Sequence, residues 1–280
     1  MNDLISILLK EAICRLRNSG IRDPVGDSRK LLAHALGISK KDLIMVEPAS
    51  ISEEIRADFI SLIELREGSK PVSQILGFRS FWGRDFHINE KVLDPRPETE
   101  TIINHALKRK FNKVLDLGTG SGIIIITLLL ERQFAIGQAV DISNSALKVA
   151  AKNIKKFNLH DRVSILNSNW CEGVHDKFDL IVANPPYIDR NRNDQYDQSI
   201  ISWEPEVALF SNNKGLGAYL AIAQQLRFVL KDTGVAIFEI GYDQALKVSK
   251  IFEYSALATN DAIEGVAGNI IGLSGFEEID

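Results

Sequence analysis

Apolar residues recur at two different periods along this chain, and the change of period divides it. Near the start, Leu4, Ile5, Leu8, Leu9, Ala12, Ile13 and Leu16 stand three and four positions apart. That spacing lines one face of a helix, which Ser19-Gly20 ends. Residues 27–36 predict a second helix closed by Gly37, and residues 40–46 a short one. Ser50 with Glu53 fits a capping box, followed by Ile55, Phe59, Leu62 and Ile63 at helical spacing and a stop at Gly68 before Pro71. Residues 1–71 therefore read as a small helical domain. It carries no convergent acids, histidines or glycine loop, so it is assigned to substrate docking.

From residue 72 to residue 92 aromatic and β-branched residues broken by glycine take over, among them Phe78, Phe81-Trp82-Gly83, Phe86 and Ile88. This pattern predicts a β-hairpin that links two domains, with its aromatics packed between them. Residues 93–280 form the second domain. In it Pro95-Arg96-Pro97-Glu98-Thr99-Glu100 leads into a helix carrying Ile102, Ile103, Ala106 and Leu107, and Arg96 is free to clamp a carboxylate. From Phe111 onward short apolar runs alternate with helical patterns. Strands end at Asp116 and Asp141, cover residues 163–166, 178–183 and 235–240, and are separated by helices; a last strand is expected near Ile270-Ile271. That alternation predicts an α/β fold with a doubly wound, Rossmann-like parallel sheet.

Composition narrows the function classes. A 280-residue chain with 45% hydrophobic and 25% charged residues builds its core without disulfide or metal staples. Cys14 and Cys171 have no paired spacing, and the five histidines are scattered, so no metal site is expected and a reducing cytoplasm suits the chain. The longest aliphatic run, beginning at Ile123, contains Thr127 and falls far short of the roughly 20 residues a bilayer needs. A net charge of −4 leaves no electrostatic footprint for duplex nucleic acid, which favours protein or small-molecule substrates.

Two stretches carry candidate chemistry. The first is Asn184-Pro185-Pro186-Tyr187, directly after the apolar run of residues 178–183. At a strand's carboxyl end it makes a stiff polar turn where open α/β sheets bind ligands. Two prolines supply no N–H donors, so the turn offers the Asn184 side chain, backbone carbonyls and the Tyr187 ring. Such a corner accepts hydrogen bonds from an –NH₂ group. The second stretch is Asp116-Leu117-Gly118-Thr119-Gly120-Ser121-Gly122, a strand–glycine-loop–helix unit that brings backbone close to a ligand. By itself the motif admits a dinucleotide or S-adenosylmethionine. An acid beside the loop repels a pyrophosphate and can hold an ammonium, which favours the latter. Asp141 is placed to accept from ribose hydroxyls, and Asn167-Ser168-Asn169-Trp170 would lie along the adenine, with Trp170 covering the base.

Taken together, residues 118–122, Asp141, Asn169-Trp170, Asn184-Pro185-Pro186-Tyr187, residues 95–100 and Phe81-Trp82-Gly83 resemble the release factor glutamine methyltransferases, the bacterial HemK or PrmC family. The resemblance covers essentially the whole chain and implies a class I methyltransferase sheet behind a small helical domain. It implies methylation of the amide nitrogen of the glutamine in the Gly-Gly-Gln loop of class 1 peptide chain release factors, by a cytoplasmic monomer without stable nucleic acid or membrane partners. S-adenosylmethionine would be the methyl donor and S-adenosylhomocysteine the product. By the same resemblance Gly118, Thr119, Gly120, Ser121, Gly122, Asp141, Trp170 and Asn184 contact the donor. Asn184, Pro185, Pro186 and Tyr187 hold the glutamine, with Asn184, Pro185 and Tyr187 catalytic. Three residues depart from the family pattern: Asp94 where an aliphatic is usual, Asn169 where an acid is, and Lys214 before Gly215. DNA adenine methyltransferases share the Asn-Pro-Pro-Tyr turn, and a dinucleotide-binding oxidoreductase is the rival from another class.

Overall fold

A computed structural model describes residues 3–39, 41–45, 51–191, 202–254, 264–265 and 268–274. The described chain divides into two compact units, one running to Phe78 and including Trp203, the other beginning at Arg79.

The first unit is helical. α1 (Asp3–Asn18), α2 (Pro24–Ala35) and α3 (Glu53–Glu67) are followed by the short α4 (Val72–Leu76). The predicted stripe of α1 is the buried one: Ile5, Leu8, Ala12 and Leu16 pack on Leu31, Leu32, Phe59 and Ile63. Each such side chain contributes about 1.5–3 kcal/mol by leaving water. α2 starts earlier than residue 27 because Pro24 sits in its first turn and Asp23 caps it, accepting from the Gly26 N–H. Only a single 3₁₀ turn, Asp42–Met45, occupies the next predicted helix. The cap of α3 is Ser52, whose hydroxyl accepts from the Ile55 N–H; Ser50 lies outside the described residues. Two ion pairs tie the helices together, Arg15 to Glu67 at 2.6 Å and Arg66 to the buried Asp27 at 2.9 Å.

The expected hairpin is shorter than its pattern, because residues 72–76 are helical and Gly77 ends them at φ 76°. β1 (Phe78–Phe81) and β2 (Arg84–His87) form the two-stranded sheet. Of the aromatics expected between domains, Phe81 and Phe86 join the core of the second unit, with Phe86 and Phe157 ring centroids 4.9 Å apart, and Trp82 packs against that core.

The second unit carries the predicted doubly wound sheet. In chain order come α5 (Glu100–Leu107), β3 (Lys113–Leu117), α6 (Ile123–Glu131), β4 (Ile136–Asp141), α7 (Asn144–Lys156), β5 (Val163–Asn167) and β6 (Phe178–Ala183). After β7 (Ile188–Asp189) and β8 (Phe210–Ser211), a helix spans Gly217–Val229 and β9 spans Leu230–Ile240. The strand expected near Ile270-Ile271 is β11 (Gly268–Ser274), parallel to β9 and paired antiparallel with β10 (Glu264–Gly265). Strand order is β10-β11-β9-β6-β3-β4-β5. The order reverses beside β3, which pairs with β4 on one side and β6 on the other, so a crevice opens at the carboxyl ends of these strands. Register sets what lines it. Leu117 pairs with both Val140 and Ala183, and Ala183 with Phe238. The next residues, Gly118, Asp141, Asn184 and Glu239, therefore stand side by side at one sheet edge.

Candidate active site

At that edge lies a cavity of about 730 Å³, lined by both motifs: Gly118, Thr119, Gly120 and Ser121 of the loop, and Asn184 and Pro186 of the turn. Asp141, Ser168, Asn169 and Trp170 complete the wall between the second and third strands.

The loop is held by its own backbone. Gly118, Gly120 and Gly122 have φ of 69°, 56° and 79°, the left-handed region that glycine enters at no steric cost. A Cβ on Gly122 would press on Ile126 and Ala150 at 3.0 and 3.3 Å, so its hydrogen is what lets α6 approach α7. Buried Asn153 of α7 anchors both neighbours, donating to the carbonyls of Ser121 and His87 and accepting from the His87 N–H. Ser121 and Gly122 are thus fixed against the hairpin.

Two acids end the flanking strands and behave differently. Asp116, expected to hold an ammonium, is fully buried behind the loop and is not on the cavity wall. It accepts from the Thr119 hydroxyl at 2.6 Å, and burial pushes its carboxyl up to about 7. It stiffens the loop from inside. Asp141 does reach the wall. Its oxygens accept the Gly120 and Ser143 N–H groups at 2.9 and 2.8 Å, while burial raises its pKa. The Ile142 backbone N–H is a third donor to it, so of a carboxylate's roughly four lone-pair sites one remains for a ligand hydroxyl. The Asn167 side chain, by contrast, is used within the protein, donating to the carbonyls of Asp141 and Ile142. Asn169 donates to Glu172, which keeps its amide oxygen as an acceptor for the cavity. The Trp170 ring would lie 3.5 Å from a Cβ on Gly118, an ordinary van der Waals distance, so the ring packs beside the loop at the cavity wall.

The turn after β6 is held by side chains from distant segments. The Asn184 amide nitrogen donates to Thr99 Oγ1 at 3.2 Å, and Thr99 Oγ1 donates to Glu239 Oε2 at 2.9 Å. Tyr187, whose hydroxyl burial keeps protonated by raising its pKa, donates to the other Glu239 oxygen at 3.4 Å. Pro185 is buried, and neither it nor Tyr187 is on the cavity wall. The Tyr187 carbonyl accepts from Gln244 Nε2 at 3.0 Å, and Gly215, at φ 82°, comes so close that a Cβ would stand 2.1 Å from that carbonyl. Lys214, a departure from the family pattern, shares the left-handed region with Asn213 and Gly215.

Beside this turn Arg96 does clamp a carboxylate, that of buried Glu204, with both oxygens within 2.9 Å. Burial pushes Glu204 up to about 7 against the pull of Arg96. Asp94 is buried next to it, its N–H directed at Glu204 and its carboxylate 3.5 Å from Arg79. Its polarity is met only in part, since Oδ1 is buried without a hydrogen-bond partner among the described residues and its charge adds to the rise of Glu204. Glu204 leads into residues 205–208, which form part of the cavity wall. Sequence reasoning missed Glu239, Glu204, Asn153 and Gln244. Glu239 alone carried a usable signal, an acid near the carboxyl end of an apolar strand, as Asp116 and Asp141 are.

The doubly wound sheet with a glycine loop and a strand-end acid at its switch point is the frame of an S-adenosylmethionine-dependent methyltransferase, and the comparisons with known proteins place the chain in that class. A family model described as Methyltransferase small domain matches residues 91–207, and one described as PrmC N-terminal domain matches residues 8–77. The release factor glutamine methyltransferase of Cereibacter sphaeroides is 40% identical over 260 residues, covering 93% of this chain and 94% of that one. Those of Agrobacterium fabrum and Caulobacter vibrioides are each 37% identical, covering 95% and 85% of this chain and 94% and 84% of theirs. The chain belongs to the release factor glutamine methyltransferase family.

Proposed function

We propose that this enzyme methylates the side-chain amide nitrogen of the glutamine in the Gly-Gly-Gln motif of class 1 peptide chain release factors, acting as a monomer. The observation that carries the reading is the orientation of Asn184: its –NH₂ is committed to Thr99, which turns its oxygen to the cavity as an acceptor. S-adenosylmethionine, when bound, supplies a methyl group on a positively charged sulfur that leaves as S-adenosylhomocysteine. Gly118, Thr119, Gly120, Ser121, Gly122, Asp141 and Trp170 would hold it.

The remaining work falls to the turn. An amide nitrogen is a weak nucleophile because its lone pair is delocalised into the carbonyl. Asn184 Oδ1 accepts from its –NH₂ group, which fixes the nitrogen and favours the positive charge that builds on it. The Pro185 carbonyl joins it only if the bound glutamine reaches behind the present cavity wall. Positioning of this kind supplies about 7–11 kcal/mol of a barrier, so the turn needs no general base for the transfer itself. The surplus proton departs to water afterwards. Pro186 lines the approach. Tyr187, packed against the core off the cavity wall and tied through its hydroxyl to Glu239, keeps the turn rigid.

Incubation with methyl-labelled S-adenosylmethionine and either a release factor or duplex DNA, followed by mass spectrometry, tests the reading. Label on the motif glutamine is expected. Label on adenine, or none on either substrate, rejects it.

A further inference from the structure

A primary amide presents a donor and an acceptor of nearly equal size, so an asparagine can serve a site in either of two orientations. Only one of them lets Asn184 accept from a substrate –NH₂. Something in the protein must choose.

The geometry points to Thr99 and Glu239 as positioning residues that select the accepting orientation of Asn184. A threonine hydroxyl has one proton. With that proton given to the Glu239 carboxylate at 2.9 Å, Thr99 Oγ1 presents only lone pairs to Asn184. The –NH₂ side of Asn184 can satisfy those lone pairs and the oxygen side cannot, as the 3.2 Å contact from Nδ2 reflects. A flipped amide would put its oxygen against the lone pairs of buried Thr99 Oγ1 and lose the Nδ2 hydrogen bond. Glu239 sets the direction of the chain because its other oxygen is also an acceptor, for the Tyr187 hydroxyl. Both residues are almost wholly buried, at 3% exposure, and neither is solvated enough for water to take over the role.

The device has a pH dependence. The groups facing Glu239 are Thr99 and Glu98 from the turn before α5, Asn184 and Tyr187 from the turn after β6, and Tyr219, which donates to the Glu239 backbone carbonyl. Burial pushes the Glu239 carboxyl up to about 7, the Thr99 hydrogen bond opposes this, and Glu98 adds repulsion. Hydrogen bonds from Tyr187 and from the Asn184 side chain itself also oppose the rise, so the carboxylate draws the Asn184 –NH₂ directly as well as through Thr99. Protonated, Glu239 becomes a donor to Thr99. The threonine proton is then free to point at Asn184, and the preference between the two amide orientations disappears.

This inference rests on the reading in which a substrate –NH₂ donates to Asn184, and its test separates the two. With a purified release factor as substrate, Thr99→Val is expected to lower kcat by about 10-fold or more while KM for the release factor moves by less than about 3-fold. Thr99→Ser, which restores the hydroxyl, is expected to recover all but about 3-fold of the loss. The wild-type kcat should rise with pH through about 7, and Thr99→Val should flatten that rise. Independently of turnover, ¹H–¹⁵N spectra should show the Asn184 side-chain protons slow to exchange in the wild type and fast in Thr99→Val. Wild-type turnover by Thr99→Val, failure of Thr99→Ser to recover it, or unchanged exchange of the Asn184 protons overturns the positioning role. A release factor left unmethylated by the wild type overturns the substrate reading, while the exchange measurement still decides the orientation.

Discussion

The two walls of the cavity are built by opposite means. On the glycine-loop side the bonds are short in sequence or made by backbone: Gly122 N–H to the Thr119 carbonyl, Thr119 to Asp116 three residues away, and Gly120 N–H to Asp141. On the Asn184 side the bonds join side chains separated by 85, 140 and 52 residues, in Asn184–Thr99, Thr99–Glu239 and Tyr187–Glu239. The first wall is a shape, set by left-handed glycines and needed only to lie close to a bound nucleoside. The second is an orientation, and orienting one amide takes a chain of donors and acceptors drawn from three separate elements. A binding wall can be local, whereas a wall that aims a reacting group has to be braced from a distance.

Breaking the brace should cost more than trimming the cradle. Gly215→Ala adds a methyl that would stand 2.1 Å from the Tyr187 carbonyl, at a φ of 82° that alanine resists. Strain and overpacking together predict a loss of roughly 3–5 kcal/mol in urea unfolding. Stability within 1 kcal/mol of wild type, a threshold of about one ordinary substitution, would show that the turn is free to move aside. Asp141→Asn is a smaller change on the cradle side. Asparagine has one acceptor oxygen where the carboxylate has two, so either Gly120 or Ser143 loses its partner. S-adenosylhomocysteine should bind about 10-fold more weakly by calorimetry, and an unchanged Kd would remove Asp141 from the pocket.

The buried acids also give stability a pH dependence. Asp116, Glu204 and Glu239 are buried, and burial pushes each of them up to about 7. Between their unfolded values near 4 and this folded value the native state holds more protons, so stability falls as pH rises through that window and levels off above it. Asp179 and Glu67, whose pKa values are lowered, act below that window. His105, also lowered, works against the trend from a partly exposed site. The urea midpoint should be higher at pH 5.5 than at pH 7.5, by the equivalent of roughly 2 kcal/mol for each of the three groups less the opposing His105 contribution, and Glu204→Gln should narrow the gap. A midpoint that rises over this interval contradicts the assignment.

Much of this molecule was legible because its signals are local. Helix stripes repeat every few residues, strand–loop–helix units occupy short windows, and the acids at strand ends mark the sheet's carboxyl edge. The parallel sheet, the glycine loop, Asp141 and Asn184 all follow from such windows. What the sequence did not disclose is long in range. Nothing near Thr99 says that it will meet residue 239, and nothing near Gly215 says that it will lie against Tyr187. Asp116 and Asp141 look alike as strand-ending acids, yet one faces the core and the other the cavity. Their difference is one of register: Asp116 lies inside β3 opposite Ala139, two positions short of the edge where Asp141 stands. The helical content of residues 72–76 was hidden for a related reason, since β-branched composition yields to a left-handed stop at Gly77.

The central claim is that Asn184 acts on the substrate nitrogen and not merely on the fold or the donor. Asn184→Ala tests it most directly when kcat on a purified release factor and the Kd of S-adenosylhomocysteine are measured on the same preparation. The account predicts a fall in kcat of about 100-fold or more with the Kd within about 3-fold of wild type. Turnover near the wild-type rate would contradict it, and so would a loss of activity that follows a matching loss of donor-site binding.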